Sequence, residues 1–273
     1  MSVHPEPPEK VTTSVSHQAT LTNPVRAAQA RPLEGRTALV TGASGALGTA
    51  IADELRDQGA DVHGVDIVGD GVFHADLSTP DGNEAAVANV IDAAGRLDIL
   101  VLNAGGQYVS PIGEFPQAEW ERLTDVMLNG PFAMLRAAWP TLIAAPGGRV
   151  VVTGSTTSYM AEPNKAGYIA AKHGVLGLVR VAALEGAAYG LTANLVAPGW
   201  IDTPMLRNQL EALAVTRGTT VEEVIETLSA GQPGNRFIAV EEVAAAVAFL
   251  AGPRASAING VALPIDLGAS VQV

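Results

Sequence analysis

The stretch that decides the fold is "TALVTGASGALGTAIADEL", residues 37–55, where a short apolar run passes through a glycine-rich turn into a helical pattern. The run at 37–41 is typical of a buried strand, and Leu47, Ile51 and Leu55 form one stripe of a helix. Glycines allow a tight turn and a close approach of the backbone to a ligand, and the first helical turn offers free N–H groups to phosphate. The stretch therefore predicts a strand, turn and helix that bind a nucleotide.

The rest of the chain continues this alternation of short aliphatic runs with Ala/Leu-rich helical stretches. The pattern predicts an α/β fold: a Rossmann-type doubly wound parallel sheet of about seven strands, with helices on both faces, in a single domain. We expect strands at 37–41, 61–66, 71–76, 98–103, 148–154, 191–197 and 260–266. We expect helices at 46–58, 81–95, 117–144, 166–189 and 240–251, and a further segment at about 204–230 that interrupts the last connection between strands.

The domain boundary is set by a change of composition. Residues 1–33 are rich in Pro, Ser, Thr and Gln and show no sustained apolar period, which predicts a disordered N-terminal tail. We expect residues 34–273 to form the folded domain. The segment 204–235 is longer than a plain crossover needs, and we interpret it as a mobile lid over the substrate.

Charge and composition exclude several classes of partner. The 273 residues carry a formal net charge of −12, which argues against nucleic acid or an anionic membrane surface as a partner. No apolar run approaches the roughly 20 residues of a membrane span, and no secretory signal is evident. The absence of cysteine fits a reducing compartment. We expect a cytoplasmic protein whose partner is a small-molecule substrate.

Acidic and amide residues follow several of the predicted strands. Asp66 ends the second strand, 18 residues after Gly48, where a carboxylate accepts hydrogen bonds from ribose hydroxyls and repels a ribose phosphate. Because no Lys or Arg follows in "DIVGDG", the sequence favours NAD over NADP. A turn aspartate without a ligand is the alternative. Asp76 ends the third strand, and Asn103 ends the fourth, at the sheet edge where ligands of α/β proteins bind.

Tyr168 and Lys172 lie four residues apart on one face of a predicted helix. A tyrosine that exchanges a proton with an alcohol near pH 7 needs its pKa lowered by about 3 units, or about 4 kcal/mol. A neighbouring ammonium favours the phenolate and so lowers this pKa. Ser155, just beyond the fifth strand, is placed to hydrogen-bond the same substrate oxygen. The alternative is an ordinary surface pair at i, i+4.

The ordered set "TGASGALG", Asp66, "LNAG", Ser155, "YIAAK" and "APGWIDTPM" resembles the short-chain dehydrogenase/reductase family over residues 35–270. The resemblance implies hydride transfer to or from a nicotinamide, with Tyr168 as general acid/base, Lys172 as pKa tuner and ribose ligand, and Ser155 as substrate orienter. It also implies a homo-oligomer, a dimer or tetramer. The NAD-binding residues that it implies are Gly42, Ser44, Gly45, Ala46, Leu47, Gly48, Asp66, Asp76, Leu77, Asn103, Ala104, Gly105, Tyr168, Lys172, Pro198, Gly199, Ile201 and Thr203.

Two departures from the family pattern concern the site itself. Ala46 stands where the middle glycine is usual, and Met127 stands where an asparagine usually stabilises a helix bulge and a water of the proton relay. Asn129, two residues later, faces another way on a helix. An altered proton relay is therefore one expectation.

The substrate residues are implied by similarity to the 3-hydroxybutyrate dehydrogenase branch, which binds a carboxylate. Gln107, Lys165 and Gln209 match that branch, Thr157 replaces its histidine, and Trp200 is a candidate pocket wall. With Ser155 and Tyr168, these residues predict oxidation of a small 3-hydroxy acid such as (R)-3-hydroxybutyrate to acetoacetate, without a metal. Alternatives are a cyclic ketone, polyol or acyl thioester substrate, a solvated loop lysine at 165, and a nucleotide-binding protein with weakened catalysis.

Overall fold

The computed structural model describes residues 31–271, without the side chains of six residues between Met205 and Arg217. Seven parallel strands form one sheet in the order β3–β2–β1–β4–β5–β6–β7, which confirms the predicted fold class. Successive strands are added outward on one side up to β3 and on the other side from β4, so the strand order reverses between β1 and β4, which opens a crevice at the carboxyl edge of the sheet. The strands are β1 Thr37–Thr41, β2 Asp61–Asp66, β3 Phe73–His74, β4 Ile99–Leu102, β5 Arg149–Thr153, β6 Thr192–Pro198 and β7 Ala262–Ile265.

The helices cover both faces of this sheet. Helices α2, α4 and α5 pack against one face, and α1 and α8 pack against the other, so that each face has its own apolar core. A π-helical segment, Asp125–Asn129, joins α3 to α4. The helices are α1 Ala46–Asp57, α2 Pro80–Ala94, α3 Gln117–Thr124, α4 Gly130–Ala144, α5 Ala166–Gly186, α6 Pro204–Arg217, α7 Val221–Ala230 and α8 Val240–Ala251.

The central strands are apolar throughout because both faces of the sheet are covered. Every residue of β1, β5 and β6 is buried. Successive side chains point to opposite faces, as Leu39 packs into one core while Ala38 and Val40 pack into the other. Continuous apolar runs of this kind are typical of parallel sheets between two helical layers.

Two predicted elements differ in extent. The third strand is reduced to Phe73–His74, because Gly69 and Gly71 before it adopt positive φ and form a loop. The further segment expected at 204–230 consists of two helices. Gly218 takes a left-handed conformation that ends α6, and α7 begins after the cap residue Thr220. Helices α6 and α7 share a small core of their own. The lid role of segment 204–235 stays a prediction.

The folded domain begins before the predicted boundary at residue 34. Leu33 is 1% exposed and packs into the core beside α1. Its backbone N–H donates to the carbonyl oxygen of Gln58 at 2.9 Å. Residues 31–33 therefore belong to the domain, whereas the rest of the predicted tail, residues 1–30, lies outside the described part of the chain.

The expectation that no apolar run approaches the length of a membrane span is wrong for helix α5 and the 3₁₀ turn that follows it. The 24 residues Ala166–Tyr189 are long and apolar enough, by length and composition, to cross a membrane. A core helix meets the same criteria, and 44% of the tested window is buried within the protein. Val175, Leu176 and Val179 of this helix belong to the apolar core of one sheet face.

Candidate active site

Ser155 lies just beyond β5, and local hydrogen bonds fix its backbone. Its Oγ accepts the N–H of Thr157 at 3.2 Å, and its own N–H donates to Oγ of Ser158 at 3.1 Å. This reciprocal pair is a capping box, which starts the one-turn 3₁₀ helix Thr156–Ser158. The arrangement holds the Ser155 hydroxyl at the carboxyl edge of the sheet.

Tyr168 and Lys172 approach Ser155 from the first two turns of α5. The Tyr168 hydroxyl forms a hydrogen bond with Ser155. The Lys172 ammonium lies 5.5 Å from the centre of the Tyr168 ring. The structure thus brings together the three side chains that the sequence predicts to be catalytic.

The pKa of Tyr168 differs from the expected one. Burial raises this pKa above its ordinary value, the hydrogen bond with Ser155 lowers it, and the negative charge of Glu162 raises it again. The protein groups alone therefore favour the protonated phenol. Lowering this pKa toward neutrality requires a further positive charge near the hydroxyl, which an oxidised nicotinamide ring would carry.

Lys172 is held by a chain of hydrogen bonds that crosses three strand ends. Its Nζ donates to the carbonyl oxygen of Thr153 at 2.7 Å, and Oγ1 of Thr153 donates to Oδ1 of Asn103 at 3.1 Å. Asn103 in turn donates from Nδ2 to the carbonyl oxygen of Thr41 at 3.1 Å. Burial lowers the pKa of Lys172 to about 8, which leaves the ammonium mostly protonated at neutral pH. This chain links the lysine to the glycine-rich turn that follows β1.

The glycine-rich turn fits a pyrophosphate. Gly42 has φ of 66°, and a Cβ there would lie 2.9 Å from Cα of Ala104. A Cβ at Gly48 would lie 1.9 Å from the carbonyl oxygen of Gly42, so α1 can approach the turn only with glycine at that position. Ser44, Gly45 and Ala46 are exposed and Leu47 is half-buried where α1 begins. The Ala46 methyl is thus outside the packed part of the turn, and the helix N-terminus faces solvent.

Asp66 is oriented toward this turn. Its Oδ2 accepts the N–H of Ser44 at 3.0 Å, and its Oδ1 accepts the N–H of Ile67 at 2.7 Å. Each carboxylate oxygen keeps a lone pair for another donor. Asp66 can therefore accept hydrogen bonds from ribose hydroxyls beside the turn.

The other predicted cofactor residues surround the same edge of the sheet. Asp76 is exposed and accepts hydrogen bonds from the N–H and Oγ of Ser78, which lower its pKa, whereas Leu77 is buried. Gly105 packs against the Met127 side chain, where a Cβ would lie 3.2 Å from the sulfur.

The last group of cofactor residues follows β6. Pro198 ends that strand, and the N–H of Gly199 donates to the carbonyl oxygen of Ile265 at 3.0 Å. Ile201 forms a parallel bridge with Ile238. Thr203 caps α6, because its Oγ1 accepts the N–H of Leu206 at 3.3 Å.

Comparison with known families agrees with this geometry. A family model described as enoyl-(acyl carrier protein) reductase, one of the short-chain dehydrogenase/reductase models, matches residues 42–270. The chain belongs to the short-chain dehydrogenase/reductase family. It is therefore an oxidoreductase that acts on alcohol groups, and its family uses a nicotinamide cofactor.

Known relatives of this short-chain dehydrogenase/reductase differ in substrate. D-beta-hydroxybutyrate dehydrogenase of Rhizobium meliloti is 37% identical over 257 residues, which cover 87% of this chain and 99% of the relative. Aldohexose dehydrogenase of Thermoplasma acidophilum superposes with a TM-score of 0.84 at 31% identity, over 90% of this chain and 98% of that one. A third relative is a Beutenbergia cavernae structure described as an NAD(P)-dependent gluconate 5-dehydrogenase with bound NADP. It superposes with a TM-score of 0.79 at 30% identity, over 89% of this chain and 100% of that one. The predicted resemblance to 3-hydroxybutyrate dehydrogenases is confirmed.

The substrate side of the site is a cavity of about 140 Å³ at the carboxyl edge of the sheet. Most of the predicted substrate residues line it, namely Gln107, Ser155, Thr157, Lys165, Tyr168 and Trp200. Gln209 lies in α6, but its side chain is outside the described part of the structure. Gly199, Ile201 and Thr203 also line this cavity, which places the cofactor residues after β6 next to the substrate residues.

Lys165 has a partner in this cavity that the sequence analysis missed. Its Nζ lies 2.6 Å from Oε2 of Glu162, and 4.9 Å from the centre of the Trp200 ring. Lys165 is therefore a member of the site and not a solvated loop lysine, since its side chain is only 13% exposed. The i, i+3 spacing of Glu162 and Lys165 is the only signal in the sequence that could have revealed the pair.

The position of Lys165 depends on the residue before it. Asn164 has φ of 67°, a left-handed conformation that asparagine tolerates better than most residues. Its carbonyl oxygen accepts the N–H of Ser110 at 2.8 Å. This kink directs the chain into α5 with Lys165 at the cavity wall.

Met127 lies in the π-helical segment and is 2% exposed. It packs with Leu123 and Ala171, and the Tyr168 ring borders this cluster. Asn129 instead donates from Nδ2 to Oδ1 of Asp125 at 2.8 Å on the exposed side. The helix bulge therefore forms with Met at 127, and Asn129 does not replace the missing amide.

Replacing Lys172 with Met tests the burial of the ammonium. The pKa of Lys172 is about 8 in the folded protein and 10.5 in the unfolded chain. Between pH 8 and pH 10.5 the unfolded chain therefore binds more protons than the folded one, so the free energy of unfolding of the wild type rises with pH. The Lys172→Met variant lacks this gain. From pH 7 to pH 10.5, we expect the free energy of unfolding of the wild type to rise by about 3 kcal/mol relative to the variant in urea titrations. Parallel pH profiles would contradict a protonated, buried lysine.

Proposed function

We propose that this short-chain dehydrogenase/reductase is an NAD-dependent enzyme that oxidises the secondary alcohol of a small 3-hydroxy acid, such as (R)-3-hydroxybutyrate, reversibly to the ketone. The observation that carries this proposal is that Ser155, Tyr168 and Lys165 line one cavity. A proton-exchanging hydroxyl and a cation for a carboxylate thus face the same small volume.

The side chains support a simple proton path. Ser155 donates a hydrogen bond to the alcohol oxygen, and Tyr168, as phenolate, accepts the proton of the alcohol as its C–H bond breaks. When bound, the oxidised nicotinamide supplies the acceptor for the hydride, which carries both electrons of that bond. Lys172 provides the positive charge behind the phenol, and its hydrogen bond to Thr153 keeps that charge in place. The ketone leaves, and the proton passes from Tyr168 to solvent.

The choice of NAD over NADP rests on charge at the end of β2. Asp66 is oriented to accept two ribose hydroxyls, and its negative charge opposes a phosphate on that ribose. A shallow groove beside Ser44 contains Arg56, whose guanidinium forms an ion pair with Asp53 at 2.9 Å. The groove also contains Asp70, which adds a second negative charge.

The direct test follows NADH formation from (R)-3-hydroxybutyrate with NAD or NADP. We expect kcat/KM with NAD to exceed that with NADP, and Tyr168→Phe to lower kcat by at least about 100-fold because the proton acceptor is lost. Circular dichroism of the variant controls for folding. Full turnover by Tyr168→Phe would remove the assigned acid/base, and equal use of both cofactors would remove the role of Asp66.

The role of Lys165 is tested with two substrates of one carbon skeleton. In Lys165→Met we expect KM for 3-hydroxybutyrate to rise about 10-fold or more, because a charge-assisted hydrogen bond to the carboxylate is lost. Butane-1,3-diol, which carries a neutral CH₂OH instead, should change little. Equal changes for both substrates would show that Lys165 does not bind the carboxylate.

We also propose a cytoplasmic homo-oligomer, a dimer or tetramer built on α4 and α5. Both helices expose large apolar side chains, including Phe132, Val181 and Leu184, the last being 81% exposed. The absence of cysteine supports the reducing compartment.

Sedimentation velocity tests the oligomer. Leu184→Glu should shift the protein to a smaller species, because a charge cannot be buried unpaired at an interface. Val215→Glu, at an 85% exposed residue of α6, is the matched control and should leave sedimentation unchanged. A wild-type monomer would contradict the proposal.

A further inference from the structure

The cavity contains an ion pair that a plain hydroxy acid does not need. Glu162 and Lys165 both line it, with Oε2 and Nζ 2.6 Å apart. The Lys165 side chain is 13% exposed and the Glu162 side chain 40% exposed, so the carboxylate stands nearer the opening. A substrate that enters therefore encounters an acceptor and a donor side by side.

Glu162 changes what Lys165 can bind. An ammonium has three donors, one of which is directed at Glu162, while the Trp200 ring lies on another side at 4.9 Å. A substrate carboxylate on a remaining donor places two carboxylates against one ammonium. Like charges at such distances repel, so a substrate whose only polar group here is a carboxylate is poorly matched to the pair.

A second polar group in the cavity also points to a ligand. Thr157 is 4% exposed, and its Oγ1 has no hydrogen-bond partner among the described residues. A buried hydroxyl without a partner is unfavourable, and Thr157 lines the same cavity as Glu162. A buried hydroxyl whose hydrogen-bonding capacity is unused among the described residues thus adjoins the cavity.

We propose that the substrate carries a hydrogen-bond donor, a hydroxyl or an ammonium, on the carbon next to its carboxylate, and that Glu162 binds this donor while Lys165 binds the carboxylate. The proposal rests on the proposed function and specifies its substrate class. The 2.6 Å separation of the two side chains matches a donor and a carboxylate that lie on adjacent carbons of the substrate. The donor also offsets the repulsion between the two carboxylates.

Glu162 also acts on the pKa of Tyr168, which gives the proposal a second measurable effect. The Glu162 charge raises the pKa of Tyr168, so the same residue that binds the substrate donor also opposes formation of the phenolate. A donor bound to Glu162 reduces this opposition, most of all when it is an ammonium. Glu162 therefore links the recognition of the substrate to the proton acceptor.

The test compares three substrates with one four-carbon skeleton: 3-hydroxybutyrate, 2,3-dihydroxybutyrate and 2-amino-3-hydroxybutyrate, each as all stereoisomers, with NAD. We expect the best isomer that carries a donor to exceed 3-hydroxybutyrate at least about 10-fold in kcat/KM, which corresponds to a charge-assisted hydrogen bond. The hydroxyl and amino substrates distinguish the two sources of the donor.

Glu162→Ala should abolish this preference, mainly through KM. Glu162→Gln keeps an acceptor without charge, so it should retain more of the preference for a hydroxyl than for an ammonium. Both variants should shift the pH profile of kcat/KM for 3-hydroxybutyrate to lower pH, because a charge that raises the Tyr168 pKa is gone. Glu34→Gln, whose wild-type partner is Arg31 in an exposed i, i+3 pair, is the control and should change none of these values.

The outcomes separate this inference from the proposed function. Turnover of 3-hydroxybutyrate that equals or exceeds the other two substrates, or a Glu162→Ala effect that is the same for all three, overturns the role of Glu162 and leaves the proposed function standing. No turnover of any of the three removes the proposed function and the inference with it.

Discussion

The ammonium of Lys172 can be buried in this protein because the carbonyl oxygen of Thr153 accepts its hydrogen bond at 2.7 Å. An unpaired charge at this depth would be far more costly than the lowered pKa of about 8 indicates. Thr153 can offer that carbonyl because it lies at the end of β5, where strand pairing stops. Its side chain joins Asn103, which is held in turn by the end of β1. Lys172 and the glycine-rich turn are thus parts of one hydrogen-bonded unit.

The phenol of Tyr168 lies between two opposing influences. The hydrogen bond with Ser155 favours the phenolate, whereas burial and the negative charge of Glu162 favour the protonated form. A site with this balance keeps the hydroxyl protonated until further positive charge arrives. In the proposed mechanism, proton transfer is then restricted to the state in which cofactor and substrate are both in place.

The fold and the grouping of the candidate catalytic residues were predictable because their signals are local. A parallel sheet covered on both faces demands continuous apolar strands, as in β1 and β5, and the spacing of Tyr168 and Lys172 places both on one helical face. Ends of elements were less predictable, since β3 is shortened by the loop conformations of Gly69 and Gly71.

What the sequence could not reveal depends on conformation and tertiary packing. Glu162 reaches Lys165 through a kink at Asn164 that is tied to Ser110, 54 residues earlier in the chain. The raised pKa of Tyr168 depends on burial, which no spacing of residues reports. The composition of residues 1–33 predicts a polar tail that includes Leu33, but Leu33 is buried in the core beside α1.

That anchor at Leu33 decides where the preceding thirty residues are attached. The backbone N–H of Leu33 donates a hydrogen bond to Gln58, which follows the end of α1. Leu33 itself comes just before the start of β1. The amino ends of the parallel strands lie at the edge of the sheet opposite the catalytic cavity. An affinity tag, a fused protein or a solid support joined ahead of residue 31 is therefore attached on the far side of the molecule from the substrate entrance.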